Sequence, residues 1–125
     1  MPVIQTERLR GAALEWATAL AEGHLDDCNS QLYAATVMDV LEGSYHPASS
    51  AAFVLNKLTS GEVTSIDRIE SDLYSVSDRD SRNCLGSTPG EAVCRLIVLN
   101  RFGQTVEVTD EVFEYQMNLE KENHG

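Results

Sequence analysis

The spacing of apolar positions divides the chain into segments of unequal clarity. The clearest runs from Thr88 to Gly103. Thr88 reads as an N-cap whose hydroxyl accepts the N–H of Glu91, with Glu91 reaching back to the N–H of Thr88. Pro89 suits the first helical position, Gly103 the left-handed position after the end, and Arg101 the negative end of the helix dipole. Between them Ala92, Leu96 and Leu99 share one face, Val93 and Ile97 widen it, and Cys94, Val98 and Phe102 widen it again. A helix that apolar around its circumference is buried on more than one side, so the pattern predicts a core helix over 89–102.

A second amphipathic segment spans Thr6 to Glu22, with Leu9, Ala12, Ala13, Trp16, Ala17 and Leu20 at three- and four-residue spacing, Thr6 as cap and Gly23 as stop. Gly11 lowers its helix propensity or admits a close neighbour. Ser50 to Leu58 predicts a short helix ended near Gly61. Gln31 to Leu41 fits either a helix or a buried strand. Glu62 to Val76 fits a helical stripe or a twisted strand pair, with Asp72–Val76 read as strand. Thr105–Val108 alternates as a strand. Phe113, Tyr115, Met117 and Leu119 alternate with polar residues, a strand signature, while Phe113 and Met117 four apart keep a helix capped at Thr109 open. Residues 77–87 read as a polar, mobile loop, and 1–5 and 121–125 as frayed ends. The sum is α+β: a single domain over 1–125 with an N-terminal helix, a buried helix near 89–102 and a small antiparallel sheet.

Composition narrows the function classes. The 125 residues carry 20 carboxylates against 9 Lys and Arg, a formal charge of −11. That argues against nucleic-acid binding and adhesion to anionic membranes, and permits a basic protein surface as partner. No apolar run approaches a membrane span and the N-terminus has no signal-peptide pattern, so the expected location is the cytoplasm. Cys28, Cys84 and Cys94 are an odd count without paired spacing, read as reduced thiols.

No phosphate-loop, dinucleotide, zinc-protease or nucleophile-elbow motif is present, and three histidines yield no catalytic set. His24, Asp26, Asp27 and Cys28 are metal-ligand types without a second cluster to complete a site. The expectation is a protein that is not an enzyme and holds no cofactor or metal.

Two stretches, taken together, resemble a known family. Leu9-Arg10-Gly11-Ala12-Ala13-Leu14-Glu15-Trp16-Ala17, continuing to Glu22-Gly23, resembles the opening of the phage NinX-like proteins. Ala92 to Val98, through Phe102-Gly103-Gln104-Thr105-Val106-Glu107-Val108 to Asp110-Glu111-Val112, resembles that family's ending. The family's middle W-x-Q-G-G-P-like signature is reduced here to Tyr45-His46-Pro47-Ala48-Ser49, and Thr109 stands where proline is usual. The resemblance implies a phage or prophage accessory protein in a host cytoplasm and carries no known activity.

Three functional readings follow. The first is binding to a host protein with a basic surface, including inhibition of a defence or nucleic-acid enzyme by imitation of a nucleic-acid backbone. Its candidate residues are Asp26, Asp27, Asp39 and Glu42 in one group, and Glu107, Asp110, Glu111 and Glu114, with Glu120 and Glu122, in another. The second is a nucleotide-like ligand pocket walled by Trp16, Tyr45, Phe53 and Tyr74 with Arg68 or Arg79. The third is a homodimer formed by strand pairing of Val106–Val108 or Phe113–Leu119 across a two-fold axis.

Overall fold

The computed structural model describes residues 3–22, 47, 50–108 and 110–124. The strand β1 (Val3–Gln5) leads through a 3-10 turn (Thr6–Arg8) into α1 (Gly11–Ala21). After α2 (Ala51–Ser60) come β2 (Ser65–Glu70), β3 (Leu73–Ser77) and β4 (Asn83–Gly86), then α3 (Pro89–Phe102), β5 (Thr105–Glu107) and α4 (Asp110–His124). The fold is α+β. Its strands form two small antiparallel sheets, β1–β5 and β2–β3–β4.

The long helix α3 is the divider. One side of it, Cys94 and Val98, joins Leu9, Leu14, Trp16 and Ala17 of the N-terminal segment with Val106, Val108 and Val112. The other side, Ala92, Val93 and Leu96, joins Val63, Val76 and Cys84 from the three-stranded half. Burial on both sides explains why the helix carries apolar residues around most of its circumference. Its ends follow the expected chemistry with two shifts. Thr88 accepts the Glu91 N–H at 3.1 Å, but Glu91 reaches Ser87, taking its hydroxyl at 3.0 Å and its N–H at 3.3 Å. Gly103 has the expected positive φ, +87°, but its ψ of −155° is extended rather than left-handed helical; its N–H bonds the Leu99 carbonyl at 2.9 Å.

Where α3 meets the sheet, backbone approaches backbone. A Cβ on Gly86 would lie 2.5 Å from the Ala92 nitrogen, so only glycine lets β4 dock there.

Several expectations are corrected. Thr6 does not cap α1: it donates its hydroxyl to the Gly103 carbonyl at 2.6 Å, tying β1 to the end of α3. The helix starts at Gly11 instead, with φ +58° and the Gln116 side-chain amide where a Cβ would stand. Val3–Gln5, read as frayed, pairs with β5 in the register Val3 to Glu107. The span 77–87, read as a loop, contains β4, and helix continues to His124. The segment 113–119 is helix, because burial of Val112 against α1 and a run of residues free of Gly and Pro outweigh the period-two pattern. Strand pairing through Phe113–Leu119 is thereby removed as a dimer surface. The twisted-pair alternative for 62–76 is the hairpin β2–β3, with Ile66 opposite Val76. Gln31–Leu41, for which helix and strand both fit, lies outside the described residues.

Candidate functional site

The turn between β3 and β4 is built around one carboxylate. Asp78 is buried, and its Oδ1 accepts the N–H groups of Asp80 at 2.9 Å and Arg82 at 3.0 Å, while Oδ2 accepts the Asn100 amide at 2.9 Å. Arg82 completes the ring by donating to the Asn100 Oδ1 at 2.7 Å. The turn also places Ser81 at φ +65°. Burial pushes the Asp78 carboxyl up, but the Asn100 amide and the two backbone donors outweigh it and hold it below the ordinary value. The sequence signal was an aspartate ending an alternating strand and followed by polar residues, the pattern of a side chain closing its own turn.

Other ionic groups are equally committed. Lys57 on α2 pairs with Glu22 at the end of α1 and with Glu62 at 2.8 Å, and lies 5.4 Å from the Phe53 ring centroid. Burial alone would lower its pKa, but the two carboxylates raise it. Arg95 spans the molecule: it donates to the Leu9 carbonyl at 2.8 Å, to the Leu85 carbonyl at 2.8 Å, and pairs with Glu91 at 2.9 Å. These are struts between elements, with their donors already used.

Two clefts border these struts. The smaller, about 370 Å³, lies between the C-terminal ends of α1 and α2 and the β3–β4 turn, with Arg79 and Arg101 on its walls. The larger, about 670 Å³, runs between the 3-10 turn and β4, with Arg8, Asn83 and Gln104 on its walls. Neither is walled by Trp16, Phe53 or Tyr74. Trp16 is only 1% exposed and serves as a core anchor. Phe53 bridges both core clusters, Tyr74 sits on β3 opposite Gly86 and Arg68, and Tyr45 lies outside the described residues. The aromatic pocket imagined from sequence is not assembled by these residues.

Nucleophile chemistry is muted at the two described thiols. Burial pushes Cys84 to about 11 and Cys94 to about 12, leaving both protonated at neutral pH. Among the described residues, no group of three or more His, Cys, Asp or Glu is placed to hold a metal ion. No described helix is long and apolar enough to cross a membrane.

The acidic candidates separate sharply. Asp26, Asp27, Asp39 and Glu42 lie outside the described residues. Glu107 on β5 and Asp110 and Glu114 on α4 are exposed, and among the described residues they make no ion pair and no side-chain hydrogen bond. Asp110 and Glu114, four residues apart, share a face of α4. Glu111, Glu120 and Glu122 lie on the same helix. From 104 to 125 the chain carries six carboxylates and Lys121 as its one cation, whereas from 47 to 103 seven carboxylates face six cations. Charge is thus nearly balanced along 47–103 and in excess along 104–125.

No protein-family model matches the chain, and no curated protein matches it.

Proposed function

We propose that the protein is a non-enzymatic binding protein whose β5–α4 face engages a basic surface on a partner protein. The observation that carries this is the set Glu107, Asp110 and Glu114, exposed and without a side-chain partner among the described residues, in a fold that engages Asp78, Glu22, Glu62 and Glu91 internally. A carboxylate left in water keeps its full charge for an incoming cation and gives long-range steering to the encounter. Asp110 also complements the N-terminal end of the α4 dipole, so that position serves fold and charge together.

The setting we propose is a phage or prophage accessory role in a host cytoplasm, as the NinX-like resemblance implies, with a host defence or nucleic-acid enzyme as the target class. It is supported by where the two matched stretches fall. They form α1 and the α3–β5–α4 junction, where Leu9, Leu14, Trp16 and Ala17 of the first pack in one core cluster with Cys94, Val98, Val106, Val108 and Val112 of the second. A basic groove that normally holds a nucleic-acid backbone would accept a row of carboxylates on the same terms, without the protein itself touching nucleic acid.

The test is affinity capture from a bacterial host lysate with the tagged full-length protein, washed at low and at high salt. One stoichiometric partner that is retained at low salt and released at high salt supports the reading, because contacts between exposed charges are screened within about 10 Å at 0.1 M salt. A partner retained equally at both salts, or none at either, overturns it.

A further inference from the structure

The helix α2 turns half of its apolar residues outward. Phe53, Val54 and the Lys57 stem face the core, while Ala51, Ala52, Leu55 and Leu58 are exposed, Leu55 by 64% and Leu58 by 37%. At 100° per residue the exposed set, with Thr59, fills an arc of about 120° centred on Leu55. An amphipathic helix with two apolar stripes has two surfaces to cover, and the described residues of the domain cover one.

We propose that a second copy of the chain covers the other, through an antiparallel α2–α2 contact about a two-fold axis at Leu55. The stripe is complementary to itself in that arrangement and in no parallel one. Its N-terminal half is small and its C-terminal half is large. With Leu55 on the axis facing its own copy, Ala52 lies opposite Leu58 of the second copy and Ala51 lies opposite Thr59. Leu55 therefore meets Leu55 at the centre, and on either side of it Leu58 meets the small Ala52 and Thr59 meets Ala51, so one patch pairs with itself as an isologous interface requires. Thr59 adds to the fit: its hydroxyl donates back to the Leu55 carbonyl at 2.8 Å, so it brings no unpaired donor into the contact.

Charge selects the same surface. Two copies at −11 repel, so self-contact is favoured where carboxylates are absent. Alone among the four described helices, α2 contains none, and its single charge, Lys57, is held on the core side by Glu22 and Glu62. A sheet edge offers a contrast. β2 carries Asp67, Arg68 and Glu70 exposed along a free edge, and charged side chains along such an edge oppose pairing with another strand. That edge is protected from pairing, while α2 is left open. A ten-residue helix is about 15 Å long, so the contact belongs to the small, weak class of interfaces.

This surface is distinct from the acidic face, and salt moves the two in opposite directions. Screening weakens carboxylate-mediated capture, but it relieves repulsion between two acidic copies and tightens an apolar contact between them.

The test is sedimentation equilibrium of the full chain from low-micromolar to sub-millimolar concentration, at low and high salt. The expected result is a reversible monomer–dimer equilibrium that tightens as salt is raised, and a dissociation constant at least about tenfold weaker in Leu55→Glu, which sets two carboxylates face to face on the axis. Leu55 is exposed, so circular dichroism of that variant should match wild type. Leu55→Cys gives an independent reading: mild oxidation should cross-link it as a dimer well above the wild-type background, and a reductant should reverse this. A monomer at every concentration, a dimer indifferent to Leu55→Glu, or Leu55→Cys cross-linking no better than wild type would each overturn the proposal.

Discussion

Asp78 and Asp110 carry the same functional group under opposite conditions. Asp78 is buried at the β3–β4 turn with three donors on its two oxygens, and Asp110 opens α4 in solvent with no described side-chain partner. The first spends its charge inside the fold and the second leaves it outside. The contrast extends to their neighbourhoods. Glu22, Glu62 and Glu91 join α1, α2 and α3 to the loops around them through Lys57 and Arg95, whereas Glu107 and Glu114 have no side-chain partner among the described residues. An acidic composition is therefore two populations, one structural and one available, and the net charge of −11 does not distinguish them.

The sharpest way to break the comparison is to remove each carboxylate. Asp78→Ala strands the Asn100 amide and two backbone N–H groups and should cost about 2–3 kcal/mol in urea unfolding. Asp110→Ala should stay within about 0.5–1 kcal/mol, the worth of one charge at a helix end. Equal losses at the two positions would erase the distinction.

Acid should discriminate them next. The folded pKa of Asp78 lies below its ordinary value of 3.8, so its contribution is complete above that value and lost as pH falls through the folded pKa. Wild type should therefore lose stability below about pH 4 more steeply than Asp78→Asn, in denaturant midpoints taken across that range.

A smaller effect is expected at Lys57. Its folded pKa is raised above 10.5, so its contribution is complete below that value and fades as pH climbs through the folded pKa. Lys57→Met keeps the stem on Phe53 but leaves Glu22 and Glu62 unpaired. A loss of about 1 kcal/mol at pH 7 is expected, shrinking at the alkaline end of the profile. The smallest stability change should come from reversing the available charges: Glu107→Lys, Asp110→Lys and Glu114→Lys together should move the unfolding midpoint by no more than a single exposed helix charge does.

What the sequence disclosed follows from how local each cause is. The helix α3 was legible because its cap, its Pro89, its terminal Gly103 and its double-sided apolarity all lie within sixteen residues. The span of α2 and its stop were legible in the same way, with Gly61 at φ +85°; its start is closed by Ser50 accepting the Phe53 N–H at 3.2 Å. The orientation of α2 was not. Ala51, Ala52, Val54, Leu55 and Leu58 sit at helical spacing, and only the tertiary placement of Phe53 and Val54 shows that Ala51, Ala52, Leu55 and Leu58 face outward. Thr6 looked like a cap because its partner Gly103, ninety-seven residues away, is invisible to a local pattern. The segment 113–119 has both periods written into it, and the choice was made by burial of Val112 beside α1. Charge alone does not rank the acidic candidates, Glu107, Asp110 and Glu114 among them. Their exposure on β5 and α4, against the internal engagement of Asp78 and Glu91, appears only when partners are in view.

Partner capture by the Glu107→Lys, Asp110→Lys, Glu114→Lys variant beside wild type at low salt is the most direct measurement of whether the available carboxylates carry binding. Loss of the captured partner with an unchanged unfolding midpoint is the predicted result. Capture that survives the triple reversal would contradict the assignment of this face.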